Sequence, residues 1–444
     1  MRIRSFGTRG LFGLFNHHVE LKNRERLTLI HGPNGFGKTT LLSLLRDFFG
    51  GRFAEFGKTP MESFYISFED DRTITVTKSQ EPVEDARYPK CLVRMTAPGE
   101  DAVEALIASQ DSEQRVTDEV AKRAPYIVKA GPELWEDSRD GELLGTDELV
   151  ARFGILHTRT DETQAHPEWL KHLTQSISVR LIETQRLILQ RRPRRFTPSP
   201  YPRSTATVME YSQQLASKLQ NQFNEYAKVS AQLDRTFVVR LLKLDFGLHE
   251  ALPENSVSAK VENLNEKRRR LMESGLLSRD DEAIPSPEAP NPAIDQILNA
   301  YLQDVESKLA VFDTLLERIE MLKSIVDAHL EYKKMIIRQQ FGFQFRATYD
   351  KHARILPSSL SSGEQHILIL FYDLLFNDAE NSLILIDEPE ISLHVDWQLS
   401  FLSDLRKIIS IVPHDIVLAT HSPQIVNNQW DLTVPLNRPE ALES

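Results

Sequence analysis

The chain has 444 residues, 41% hydrophobic and 26% charged, with a net charge of −11. This is the composition of a soluble globular protein of two or three domains, and it excludes a surface that is basic throughout. One cysteine, Cys91, excludes an intramolecular disulfide framework and fits a reducing cytosol; no apolar run reaches membrane-spanning length, and Arg2, Arg4 and Arg9 interrupt the place of a leader's apolar core, so a cytoplasmic protein with no membrane partner is expected.

Residues 28–31 are a short apolar, strand-like run, and residues 41–49 have helical spacing of apolar side chains. Between them stands Gly32-Pro33-Asn34-Gly35-Phe36-Gly37-Lys38-Thr39-Thr40. A strand, a glycine-rich turn and a helix N-terminus aim backbone N–H groups at one point, where the helix dipole adds positive potential. Gly32, Gly35 and Gly37 let the backbone approach a phosphate closely, Lys38 supplies a cation for the β- and γ-phosphates, and Thr39 offers a hydroxyl to Mg²⁺. With Asn34 and Thr40 these residues are the expected nucleotide contacts.

Residues 62–97 alternate as a small antiparallel sheet, with strands at 64–68, 73–77 and 92–95. Residues 101–175 are mixed, with a turn near 137–145, and residues 179–187 read as a strand running into a loop. Residues 191–204, rich in arginine, proline and serine, read as a linker. Helices are predicted over 205–244 and 256–274, with a proline-rich acidic loop at 278–293. Leu298, Leu302, Val305, Leu309, Phe312, Leu316 and Ile319 then recur at steps of four and three, an a/d stripe that continues less regularly through Leu330. It predicts one helix running to Gln340, about 65 Å long at the usual rise. Such a helix serves either as an arm for dimer or partner contact or as an amphipathic helix packed on its own lobe.

Leu383-Ile384-Leu385-Ile386 is a fully apolar strand that ends in Asp387-Glu388-Pro389-Glu390. A continuous run of this kind suits a parallel strand buried on both faces, and ligands in such sheets bind at the carboxyl ends of strands. Beside a phosphate loop, Asp387 is placed to hold the Mg²⁺ water shell and Glu388 to polarise an attacking water as general base. A further apolar strand, residues 415–419, precedes His421.

Together with Leu360-Ser361-Ser362-Gly363-Glu364-Gln365, these motifs resemble the ABC-type ATPases, and specifically their SMC/RecF/OLD branch. Asp387-Glu388-Pro389-Glu390-Ile391-Ser392-Leu393-His394, followed by Trp397-Gln398, is similar to the ATPases of bacterial phage-defence operons, including the Septu and PARIS subunits and the ATPase half of OLD nucleases. The resemblance covers roughly residues 1–50, 175–190 and 340–435. It implies an α/β fold: a P-loop ATPase head with a small antiparallel β subdomain and an inserted α-helical or short coiled-coil arm. It also implies that Ser361 and Gly363 contact ATP held by a second subunit, that His421 senses the γ-phosphate, and that Gln185 contacts Mg²⁺. Ser362 departs from the glycine usual in transporter signatures.

Lys38 and Ser361 stand 323 positions apart, far more than in a transporter cassette, so the extra length lies between two ATPase lobes. The expected division is residues 1–190 for the N-terminal lobe, 191–340 for the helical insert and 341–444 for the C-terminal lobe. The resemblance implies an ATP- and Mg²⁺-dependent homodimer with shared sites, or a higher oligomer, that serves as sensor and scaffold for a separately encoded effector, expected to be a nuclease. OLD nucleases carry a Toprim domain beyond the position of His421; here the sequence given runs on only to Ser444, and no nuclease motif is apparent. The alternative is a DNA-clamping ATPase of genome maintenance. Nucleic acid or a phage protein stays open as a further ligand: the arginines at 186 and between 191 and 203, and the run 267–270, suit phosphate contact or solvated linkers equally.

Overall fold

The computed structural model describes residues 1–79, 89–107, 124, 126–131, 134–139, 143–145, 166–182, 188–189, 205–243, 255–277, 283–285, 292–350, 353–377 and 381–436. The chain forms two compact units, one from residues 1–204 with 378–444 and the other from residues 205–377. The signature motif therefore belongs to the same unit as the helical insert, whereas the phosphate loop, the acidic strand and His421 share the other.

The first unit opens with β1 (Ile3–Leu11), β2 (Phe15–Glu20) and β3 (Leu27–His31), followed by α1 (Lys38–Phe49) and α2 (Ala54–Lys58). Next come β4 (Ser63–Phe68), β5 (Thr73–Lys78), β6 (Cys91–Thr96) and β7 (Val103–Ile107). All except β3 join in one antiparallel sheet, ordered β2-β1-β4-β5-β6-β7. The period-2 alternation is its cause: Phe64, Ile66, Phe68, Ile74 and Val76 point into the core while their neighbours are partly exposed. A three-stranded sheet of β8 (Ile127–Gly131), β9 (Leu134–Asp137) and β10 (Leu143–Gly145) follows, then α3 (Glu168–Gln175), β11 (Val179–Ile182) and the two-residue β12 (Ile188–Leu189).

The second unit begins with β13 (Thr205–Ala206) and α4 (Thr207–Leu241), then α5 (Asn255–Glu273), α6 (Pro292–Ala310) and α7 (Asp313–His329). A β-meander of β14 (Lys333–Arg338), β15 (Gly342–Ala347) and β16 (Arg354–Ile355) leads through a 3₁₀ turn to α8 (Ser362–Phe376). The single helix expected through Gln340 is corrected in two places. It breaks between Ala310 and Asp313, and it stops at His329. Beyond that point Met335, Ile337, Phe343 and Phe345 are buried at alternate positions, a strand period, and Gly342 at φ +68° makes the hairpin turn.

The stripe is spent on packing inside this unit. Leu302, Val305, Leu309, Phe312, Leu316, Ile319, Leu322 and Val326 are all buried. Phe312 lies against Phe223 and Tyr226 of α4, and α4 and α6 are joined by Arg240–Asp304 and Lys308–Asp234 ion pairs. Three residues of the basic run of α5 are answered by acids of their own unit: Lys267 meets Asp313, Arg269 meets Glu266 and Glu273, and Arg270 meets Glu320. The arginine-rich segment 191–203 lies outside the described residues.

The chain re-enters the first unit with β17 (Leu383–Asp387), α9 (Val395–Ile411), β18 (Asp415–Thr420), α10 (Pro423–Val426) and β19 (Thr433–Pro435). These complete a five-stranded parallel sheet, ordered β11-β17-β18-β3-β19. Every residue of β17 is buried, as the apolar run 383–386 requires, and Asp387 is buried with it. Leu41, Leu42, Leu44, Leu45 and Phe48 of α1 are buried in the core cluster that also takes Ile30, Leu383, Leu385, Val417 and Phe64. No described helix is long and apolar enough to cross a membrane.

Candidate functional site

The parallel register brings three strand ends together. Asp387 at the end of β17 pairs with Ala419 of β18, and Thr420 pairs with His31 at the end of β3. The phosphate loop, the acidic pair and His421 therefore leave one edge of the sheet from three adjacent strands, the position where open α/β sheets bind ligands.

The loop is shaped for an anion. Gly35 and Gly37 have φ of +84° and +80°. A Cβ on Gly37 would lie 2.7 Å from a Leu11 methyl, so a larger residue there would displace Leu11 as well as strain the backbone. The N-terminus of α1 has no side-chain cap and no acid in its first turn, which leaves its positive end for a ligand. Lys38 is 4% exposed, and its Nζ donates to the Gly32 carbonyl at 2.8 Å and the Pro33 carbonyl at 3.2 Å. The same ammonium lies 3.5 Å from Glu388 Oε1.

Thr39 Oγ1 donates to Asp387 Oδ2 at 2.7 Å. Burial pushes the Asp387 carboxyl above its ordinary range, with the Thr39 hydrogen bond opposing. Glu388 sits in the left-handed region at φ 46° and ψ 56°, a strained conformation for a side chain with a Cβ, and its N–H donates to the Ala419 carbonyl. Its Oε2 lies 2.5 Å from His421 Nδ1. Glu388, Glu390 and His421 each bring a ligand atom within 4.8 Å of the others. The donor set fits a metal–nucleotide: a glycine cradle, a buried ammonium, a hydroxyl–carboxylate pair and a carboxylate–imidazole pair.

Lys38, Thr39, Asp387, Glu388 and His421 are thus brought together, with Gly32, Asn34, Gly35, Gly37 and Thr40 in or beside the loop. Gln185 lies outside the described residues. Ser361 and Gly363 stand at the start of α8 in the other unit. Ser361 caps that helix in a reciprocal box with Glu364, an S-x-x-E pattern legible in the sequence. Burial opposes ionisation of Glu364, but Lys333 Nζ, 2.7 Å from both carboxylate oxygens, and the Ser361 N–H outweigh it and hold the group below its ordinary range.

Sequence reasoning passed over three supports. Lys333 is one. His17 of β2 is the second: its Nε2–H donates to the Phe36 carbonyl at 2.7 Å, while the Phe15 and Phe36 rings pack beside it at a tilt of 38°. The alternation Phe15-His17-Val19 marked it as inward-facing, and nothing marked the loop as its partner. Glu390 is the third.

The fold, loop and acid pair define an ABC-type P-loop ATPase head. Residues 136–427, or 292 of the 444, match the family described as "AAA domain, putative AbiEii toxin, Type IV TA system", and the chain belongs to that family. The match takes in the signature, the acidic strand and His421, and begins after the phosphate loop. The Smc head of Pyrococcus furiosus, with an extended coiled coil and bound to the C-terminal domain of ScpA, is 12% identical over 96% of this chain and 91% of its own, at a TM-score of 0.35. The SMC head of Thermotoga maritima is 10% identical over the same shares, at a TM-score of 0.30. A search of curated proteins finds no match.

Burial lowers the His17 pKa below its ordinary 6.5, and the Phe36 carbonyl opposes that shift. A neutral buried imidazole stabilises the fold fully above the unfolded value, and that stability is lost as pH falls from 6.5 through the lower folded value. His17→Gln keeps a donor and does not titrate. The melting-temperature advantage of wild type over His17→Gln is therefore predicted to shrink as pH falls below 6.5. A difference independent of pH would contradict this role.

Proposed function

We propose that the protein is an ATP-binding and ATP-hydrolysing switch that closes as a homodimer. The observation that carries this reading is the meeting of Lys38, Thr39, Asp387, Glu388 and His421 at one sheet edge. In this reading the loop amides and the α1 N-terminus bind the phosphates, and Lys38 exchanges the Gly32 and Pro33 carbonyls for phosphate oxygens. Thr39 and Asp387, with Gln185, hold Mg²⁺, which when bound draws charge from the phosphate oxygens. Glu388 accepts a proton from the attacking water. His421, hydrogen-bonded to Glu388, orients that carboxylate and faces the γ-phosphate. Ser361 and the Gly363 amide of a second copy complete the site.

The particular role we infer is that of sensor and scaffold in an anti-phage system, controlling a separately encoded effector, expected to be a nuclease. The family description, which names a toxin of a type IV toxin–antitoxin system, supports a place in such conflict systems. The catalytic groups at the sheet edge suit phosphoanhydride hydrolysis, and this reading assigns nucleic-acid cleavage to another chain.

Two predictions follow from these assignments. Glu388→Gln cannot take the water's proton, so turnover falls about 10²- to 10⁴-fold while ATP affinity is kept. Lys38→Ala weakens ATP binding itself by on the order of ten- to a hundredfold. Titration of a fluorescent ATP analogue alongside phosphate release separates the two, and normal turnover in Glu388→Gln would overturn the assignment of the base. In cells carrying the protein with its neighbouring genes, phage plating efficiency is reduced, and Lys38→Ala or deletion of the effector gene restores it. Sensitivity to DNA damage with unchanged phage plating would favour the genome-maintenance alternative instead.

A further inference from the structure

Glu390 is 7% exposed and lies two residues beyond the proposed base. One of its oxygens, Oε1, accepts three hydrogen bonds from a single turn: from Thr420 Oγ1 at 2.6 Å, the His421 N–H at 2.8 Å and the Ser422 N–H at 3.1 Å. The same oxygen lies 3.1 Å from His421 Nδ1. Its other oxygen, Oε2, is buried without a hydrogen-bond partner among the described residues. A carboxylate held by consecutive backbone N–H groups is a strong, charge-assisted contact. Here it fixes the backbone from which the His421 ring projects. Gln398 reinforces it, since its side chain accepts from Ser422 Oγ and donates to the Leu393 carbonyl.

We propose that Glu390 is a positioning residue: it sets the turn after β18 so that the His421 imidazole meets Glu388. This rests on the reading of Glu388 and His421 as the hydrolytic pair. The chemistry divides the two neighbouring acids. Glu388, on the side of Lys38 and the imidazole, is placed to act on water. Glu390 directs Oε1 at the 420–422 turn, and its role is to hold that turn. An ordinary structural acid would satisfy the same N–H groups, but its loss would lower stability and nucleotide binding together. A positioning residue acts through His421 alone.

The test is a double-mutant cycle, with ATP affinity and turnover measured separately on the full chain. Glu390→Ala is expected to lower kcat by about tenfold or more while ATP affinity stays within about threefold, because the phosphate loop is untouched. Glu390→Gln keeps an acceptor oxygen at the same reach and is expected to recover most of kcat. On a His421→Ala background, Glu390→Ala is expected to change kcat by less than about threefold, since there is no imidazole left to position. An equal loss with and without His421 overturns the proposal, as does a fall in ATP affinity and melting temperature with kcat unchanged. Should Glu390→Ala fail to fold, Glu390→Asp carries the same cycle, for it keeps the charge and withdraws the oxygen by one methylene. If His421→Ala and Glu388→Gln both leave turnover at the wild-type rate, the underlying reading fails, an outcome distinct from failure of the positioning role.

Discussion

The site depends on a register. Three parallel strands, β17, β18 and β3, are paired so that Asp387, Thr420 and His31 reach one edge together. A two-residue slip of β17 against β18 would move the acid pair by about 7 Å, out of reach of Thr39. Among the described residues, polar side chains of β17 and β18 stand at the strand ends, Asp387 on Thr39 and Asp415 on Arg2. Between those ends the alignment rests on complete burial of residues 383–387 and 416–420, with Leu383, Leu385, Val417 and Ala419 in one core cluster with α1 and the antiparallel sheet. Packing thus supplies the alignment that the chemistry uses.

That alignment forces charges into poor surroundings, and the local contacts show how each is answered. Lys38 is nearly buried and is met by two loop carbonyls and by Glu388. Asp387 takes the Thr39 hydroxyl, yet burial still pushes its carboxyl upward. Glu390 spends one oxygen on three donors. Glu388 bears backbone strain in the left-handed region, on the order of 1–3 kcal/mol, a cost expected where function selects a geometry over comfort. The arrangement is one that a bound polyanion and its cation would relieve.

Much of this was legible in the chain itself. The spacing of Gly32, Gly35, Gly37 and Lys38 between a strand and a helix has few other uses, and the apolar run into Asp387 announced a buried parallel strand. The alternation at residues 64–68 and 73–77 announced the antiparallel sheet. The stripe from Leu298 was misleading because a heptad pattern does not register a chain reversal. Phe312 keeps the phase while the helix breaks beside it, and the strand period of residues 335–345 was short enough to pass as a helical continuation. His17 and Glu390 were hidden for another reason. Each serves a backbone segment remote in sequence, Phe36 for one and the 420–422 turn for the other, and a side chain's backbone partner leaves no mark on residue spacing.

The central claim is that the phosphate loop of one copy works with the signature of another, and mixing two inactive variants tests it most directly. Ser361→Arg blocks the signature and Lys38→Ala the loop, so either homodimer has a defect in both sites. A mixed dimer has one site with neither defect and one with both. Equal mixing is expected to restore on the order of a quarter of wild-type turnover, from the half of the dimers that are mixed. If mixed dimers are shown to form and no activity returns, the shared site is contradicted.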